Sequence, residues 1–219
     1  MSDQQIDRTL RERWTALAGP GNAACGQDLV ARYREPHRRY HTTEHLAFML
    51  DVIDLLADEA ADDAAVRYAA WFHDAVYEIE AGSGSAAACV SNEERSARLA
   101  EAALPELGVA DELVAEVGRL VRLTAGHDPA AGDRNGAVLC DADLAVLGGS
   151  PEQYRRYREQ VREEYQQIPD ELYRPGRAAI LRGLLALPEL YRTERARKQF
   201  GAAAMANLAA EIAALESVS

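Results

Sequence analysis

Aromatic residues are scarce, at 6% of the chain, and no segment alternates apolar and polar side chains over the length of a strand. Together with alanine spread throughout, these shortages exclude a sheet-built core and favour helices packed through small side chains. Positive charge is also short. Lys+Arg number 24 against 36 Asp+Glu, a formal net charge of −12, so the chain lacks an overall footprint for nucleic acid, although a local basic pocket for one phosphate remains compatible. No apolar run reaches the length of a membrane span, and Met1 to Gln5 lack the basic-then-apolar pattern of a signal peptide. The three cysteines, Cys25, Cys89 and Cys140, have no close-paired spacing. That excludes a zinc ribbon or a dense disulfide framework and implies reduced thiols. The resulting expectation is a soluble cytoplasmic protein with neither nucleic acid nor membrane as partner.

What the sequence does contain is helical period. Caps and apolar spacing predict helices over Gln5–Leu17 and Ala24–Arg34, the second ended by Pro36. A helix from Thr43 carries His45, Met49, Val52 and Leu56 on one face, and one from Asp62 carries Val66, Ala70, His73 and Tyr77. Residues 81–88 are small and read as a flexible loop. Ser91-Asn92-Glu93-Glu94 has the form of a capping box that opens a helix to about Leu104. Leu113, Val117, Leu120 and Thr124 line another, whose face continues to His127. A short helix holds Asp143, Leu144 and Leu147 and stops at Gly148-Gly149. Ser150-Pro151 starts the next, lined by Tyr154, Tyr157, Val161 and Tyr165, and helices over Pro175–Leu187 and Thr193–Leu215 follow. The expected fold is all-α, one domain over residues 1–219, with a motif core at about 38–147 and C-terminal helices at 150–216 packed on it. Those alanine- and leucine-rich helices suit a partner copy equally well, which leaves a homodimer open.

Three places set metal-competent side chains on faces that helical period buries: His41 to His45, the His73-Asp74 pair, and the Asp141/Asp143 pair. A carboxylate buried alone costs several kcal/mol or becomes neutral, and a divalent cation relieves that cost. Mixed imidazole and carboxylate donors suit Mn, Fe, Co, Ni or Zn better than Mg. On a continuous helix His73 and Asp74 lie about 100° apart, so one ion must sit between their directions. Asp141 and Asp143 have a plainer alternative as helix-start residues favoured by the dipole. His127 is a second-metal or phosphate ligand, or a helix-end histidine. His37, Arg38 and Arg39 read as a solvated turn, with phosphate contact by the arginines as the alternative. Arg177, placed near a helix start where positive charge is disfavoured, fits an anion-binding role.

The order His45, His73-Asp74, Asp143 resembles the signature of the HD superfamily of metal-dependent phosphohydrolases. The segments Arg39-Tyr40-His41-Thr42-Thr43-Glu44-His45, Phe72-His73-Asp74-Ala75-Val76-Tyr77, Asn92-Glu93-Glu94-Arg95-Ser96-Ala97 and Asp141-Ala142-Asp143-Leu144 are similar to an uncharacterised bacterial subgroup of it, over about Arg38 to Asn207. The resemblance implies a helical bundle holding one or two ions through His45, His73, Asp74 and Asp143, with His41 and Asp141 the rivals for the first and last ligand. It implies hydrolysis of a small phosphorylated metabolite or nucleotide, with Asp74 orienting or deprotonating water. The family's frequent acid four residues after the doublet's histidine is Tyr77 here, which leaves Glu78 and Glu93 as further acid candidates and His41, His127 and Arg177 for substrate or a second ion. Two alternatives stand beside this: a di-iron oxygenase on the same scaffold, and a metal-stabilised sensor without turnover.

Overall fold

A computed structural model describes residues 2–79 and 90–217. The small-residue loop at 81–88 and Cys89 lie outside the described residues. Among these, the chain forms ten α-helices and no strand. They are α1 (Asp3–Ala18), α2 (Ala23–Arg32), α3 (Thr43–Leu56), α4 (Asp63–Phe72), α5 (Asn92–Glu106), α6 (Asp111–Leu123), α7 (Arg134–Leu144), α8 (Pro151–Glu164), α9 (Asp170–Ala186) and α10 (Glu194–Glu216). The all-α expectation holds, and among the described residues no helix is long and apolar enough to cross a membrane.

The bundle is organised around α4. Asp62 caps it by accepting the Ala65 N–H, and its Ala65, Val66, Ala69, Ala70, Trp71 and Phe72 are buried on several sides at once. Helices α1, α3, α5, α6 and α7 all pack against it. Trp14 of α1 meets Trp71 edge to face at 5.0 Å between ring centres and donates its indole N–H to the Asn22 carbonyl. The core therefore reaches the residue immediately before the His-Asp pair.

Four helix boundaries depart from the sequence pattern, and each bears on function. α4 ends at Phe72 and does not continue to Tyr77, so His73, Asp74 and Tyr77 do not share a helical face. The chain turns there, and Ser96 of α5 holds it by accepting the Val76 N–H and donating to the Val76 carbonyl. Asn92 bonds both backbone groups of Glu78 in the same way. α6 stops at Leu123, short of His127. α7 begins at Arg134, which puts Asp141 and Asp143 near its C-terminal end, not at a helix start. α9 begins at Asp170 and carries Pro175 inside it, so Arg177 sits in the second turn and not at the first.

Gly148 closes a 3-10 turn over Ala145–Gly148 against which α10 packs. The reason for glycine is space: a Cβ at this position would lie 2.7 Å from the Phe200 Cα and carbonyl oxygen. Because backbone cannot move aside as a side chain can, Gly148→Ala should lower the unfolding free energy by about 1–3 kcal/mol. Denaturant unfolding of the variant checks this, and an unchanged midpoint would show that α10 does not seat on this turn.

Candidate metal centre and its cavity

The end of α4 and the start of α3 bring the first imidazoles together. His45 lies in the first turn of α3 with its ring buried, and His73 is the residue that ends α4. Their Nε2 atoms are 3.2 Å apart. Because the backbone leaves the helix after His73, the Asp74 carboxylate folds back to within 3.0 Å of His73 Nε2 and 3.8 Å of His45 Nε2. The turn thus solves what a continuous helix would oppose. His45, His73 and Asp74 form a group that could hold a metal ion, with one ligand atom of each within 4.8 Å of the others. Asp143 of α7 completes the ring from the other side, its Oδ1 3.3 Å from His45 Nε2 and 3.8 Å from His73 Nε2.

Donor chemistry fits a cation. His73 Nδ1 donates to the Ala70 carbonyl at 2.8 Å, which leaves Nε2 as the nitrogen free to ligate. Burial alone would lower the His73 pKa, but Asp74 and Asp143 outweigh it and push it up to about 9. The two carboxylates are held below the ordinary range despite burial, Asp74 chiefly by His73 and His41, and Asp143 by His127 and His45. A proton on the imidazoles therefore serves the same field that a metal ion would. His45 differs: burial lowers its pKa, and its Nδ1 is buried without a hydrogen-bond partner.

The two acids of α7 have separate fates. Both lie near the end of a helix whose dipole disfavours negative charge, so each needs compensation. Asp143 obtains it from the imidazoles. Asp141 points elsewhere and accepts the N–H groups of Arg192 and Thr193 at 2.7–3.0 Å, at the entry to α10. Burial pushes its pKa up to about 6 against those bonds.

His41 stands beside the centre, not in the group of three. Its Nδ1 lies 2.7 Å from Glu164 Oε2, and Glu164 Oε1 accepts the backbone N–H groups of Arg39, Tyr40 and His41 at 2.7–2.9 Å. Tyr77 donates its hydroxyl to Glu164 Oε2 at 3.2 Å. Burial opposes the charge on each partner, yet Asp74 and Glu164 raise the His41 pKa, and His41 with the backbone donors holds Glu164 at about 2. Sequence reasoning missed Glu164. The available signal was an acid three residues after Val161 and seven after Tyr157, on the apolar stripe of α8.

Arg38 is not a solvated residue. Its side chain is fully buried and donates to the Asp74 carbonyl at 2.7 Å and the His41 carbonyl at 3.2 Å, pairing with Glu35 at 3.0 Å. One guanidinium thereby ties the loop before α3 to the turn that carries Asp74. His37 also serves this frame, bonding the Tyr77 carbonyl at 2.7 Å.

Asp74 and Asp143 line a cavity of about 750 Å³. His41, Tyr77, Glu93 and His127 line it as well. His127 adopts a left-handed backbone, φ 50°, one of the few non-glycine residue types enriched there, and its Nε2 reaches Asp143 Oδ2 at 2.8 Å. Glu78 does not line this cavity and pairs with Arg95 at 2.7 Å on the surface. Arg177 lines it but is buried and engaged by Glu211 at 3.0 Å and the Tyr157 hydroxyl at 2.9 Å, which accounts for its charge without an anion.

The Glu164 carboxylate gives a pH signature. A carboxyl held at about 2 against an ordinary 4.5 contributes stability that is complete above pH 4.5 and lost as pH falls toward 2. That contribution is at most about 3 kcal/mol. Glu164→Gln should be less stable at pH 7 and show a flatter stability profile between pH 4.5 and 2; a slope equal to that of the unmodified protein would contradict the assignment.

No protein-family model matches the chain, and neither a curated protein nor a solved structure matches it.

Proposed function

We propose that this chain is a metal-dependent phosphohydrolase of the HD type, holding a divalent transition ion through His45, His73, Asp74 and Asp143 and cleaving a small phosphate ester. The observation that carries the reading is the convergence of two imidazole Nε2 atoms and two carboxylates, with the carboxylates lining a cavity large enough for a metabolite. Neutral imidazole with carboxylate favours Mn, Fe, Co, Ni or Zn. When bound, such an ion supplies Lewis-acid polarisation of a phosphoryl group and a more acidic water.

The chain's own residues then divide the remaining work. Asp74 lines the cavity and is placed to orient water and take its proton. Glu93, at the start of α5, lines the same cavity and is a third acid there beside Asp74 and Asp143. Tyr77, which stands where the resembling hydrolases often carry an acid, spends its hydroxyl on Glu164 and acts by holding His41. With Nδ1 committed to Glu164, His41 has Nε2 free to give a proton to the leaving oxygen. Arg38 acts at a distance, fixing the loops that present His41 and Asp74.

One observation favours a second ion: Asp143 offers Oδ1 to His45 and Oδ2 to His127. A carboxylate with both oxygens facing imidazoles would serve a two-metal hydrolase and a di-iron oxygenase alike. Turnover of a phosphoester panel with Mn, Co or Ni should release phosphate. Asp74→Ala and Asp143→Asn should lose metal and activity by more than the roughly 10–100-fold that removal of an outer partner costs. Asp141→Asn should keep its metal. Full metal retention in Asp74→Ala would sink the ligand assignment, and iron-dependent oxygen consumption without phosphate release would favour the oxygenase.

A further inference from the structure

Much of the cavity wall is aliphatic, and Ile168 with Leu172, Ile180 and Leu184 of α9 forms part of it. Of the five tyrosines that line it, Tyr157, Tyr165 and Tyr173 come from α8, its end and α9. Leu172 and Ile180 are 66% and 60% exposed, which places them among the few large apolar side chains that the described fold leaves in contact with solvent. They share a face with Gly176 and Gly183, spaced four, eight and eleven residues along α9. A Cβ at either glycine would meet nothing within 4 Å. Glycine inside a helix is less stable than alanine by about 1 kcal/mol, so sterics at the Cβ do not account for two of them on the cavity wall. Their effect is room in the cavity.

Charge points the same way. Among the described residues that line the cavity, Arg177 is the one lysine or arginine, and Glu211 and Tyr157 engage it. His41 is paired with Glu164 and His127 with Asp143. Among the described residues no lysine or arginine along the wall is spare for a second or third phosphate.

We infer that the ligand of this cavity carries a single phosphate-type head on an apolar, ring-sized body, and is not a sugar phosphate or a nucleoside triphosphate. The head group's place rests on the reading that an ion at His45, His73, Asp74 and Asp143 receives it. The body's place rests on α9 and the tyrosines.

Binding to the Mn²⁺-loaded full chain, measured by calorimetry, separates the two. Naphthylmethylphosphonate should bind at least about tenfold tighter than methylphosphonate, since it buries an added apolar ring. It should also bind tighter than ribose 5-phosphate and adenosine triphosphate. Ile180→Asp, at an exposed position, and Gly176→Leu, which fills open space, should each remove that advantage while leaving methylphosphonate affinity unchanged. Equal affinity for the two phosphonates, or tighter binding of ribose 5-phosphate or the triphosphate, overturns the inference. Failure to take up Mn²⁺ overturns the metal reading instead, and uptake without phosphate release in the ester panel overturns only the hydrolase reading.

Discussion

Two carboxylates, Asp74 and Asp143, converge on two buried imidazoles in an interior that solvates charge poorly, and the surrounding structure is arranged to hold that concentration of charge in place. Left without a counter-ion, such a pair would raise its own pKa until one acid became neutral. Here both stay ionised and instead drive the His73 pKa up to about 9. The group attracts a cation, and a proton or a metal ion can answer it. The local backbone follows from this requirement. α4 must end at Phe72 so that Asp74 can fold back toward His73, and Ser96, Asn92 and Arg38 then fasten the loop that the helix leaves behind.

A second buried carboxylate, Glu164, performs a different task with similar physics. It gathers three backbone N–H groups, His41 and Tyr77, so its charge is spread over five donors. That arrangement couples α8 to the loop before α3 and fixes the His41 ring at the cavity wall. The polar lining of the cavity is therefore built from helix ends and buried donors. The α9 part of the wall differs, because α9 leans chiefly on α10 and turns Leu172 and Ile180 to solvent.

Much of the centre was legible in the sequence because it lies on strong helical period. His45 heads the stripe of α3, and His73 directly follows the apolar helix α4. Period failed where a helix stopped. The stripe from Val66 to Tyr77 extends past the point at which the chain turns, since propensity alone does not register the hydrogen bonds that Ser96 and Asn92 offer to the loop. The choice between Asp143 and Asp141 depended on α10, which lies fifty residues further on and takes Asp141 for its own start. Glu164 and Arg38 were hidden for a common reason. Each is a charged residue whose burial follows from partners distant in sequence or on the backbone, and composition leads the reader to expect such residues at the surface.

The central claim is that His45, His73, Asp74 and Asp143 enclose a metal ion. Crystals grown with Mn²⁺ and measured at the manganese absorption edge test it directly. The account predicts an anomalous-scattering peak between His45 Nε2, His73 Nε2 and the Asp74 and Asp143 carboxylates, with the two imidazoles moved apart from their 3.2 Å contact. Retention of that contact, with no peak at this position, would contradict it.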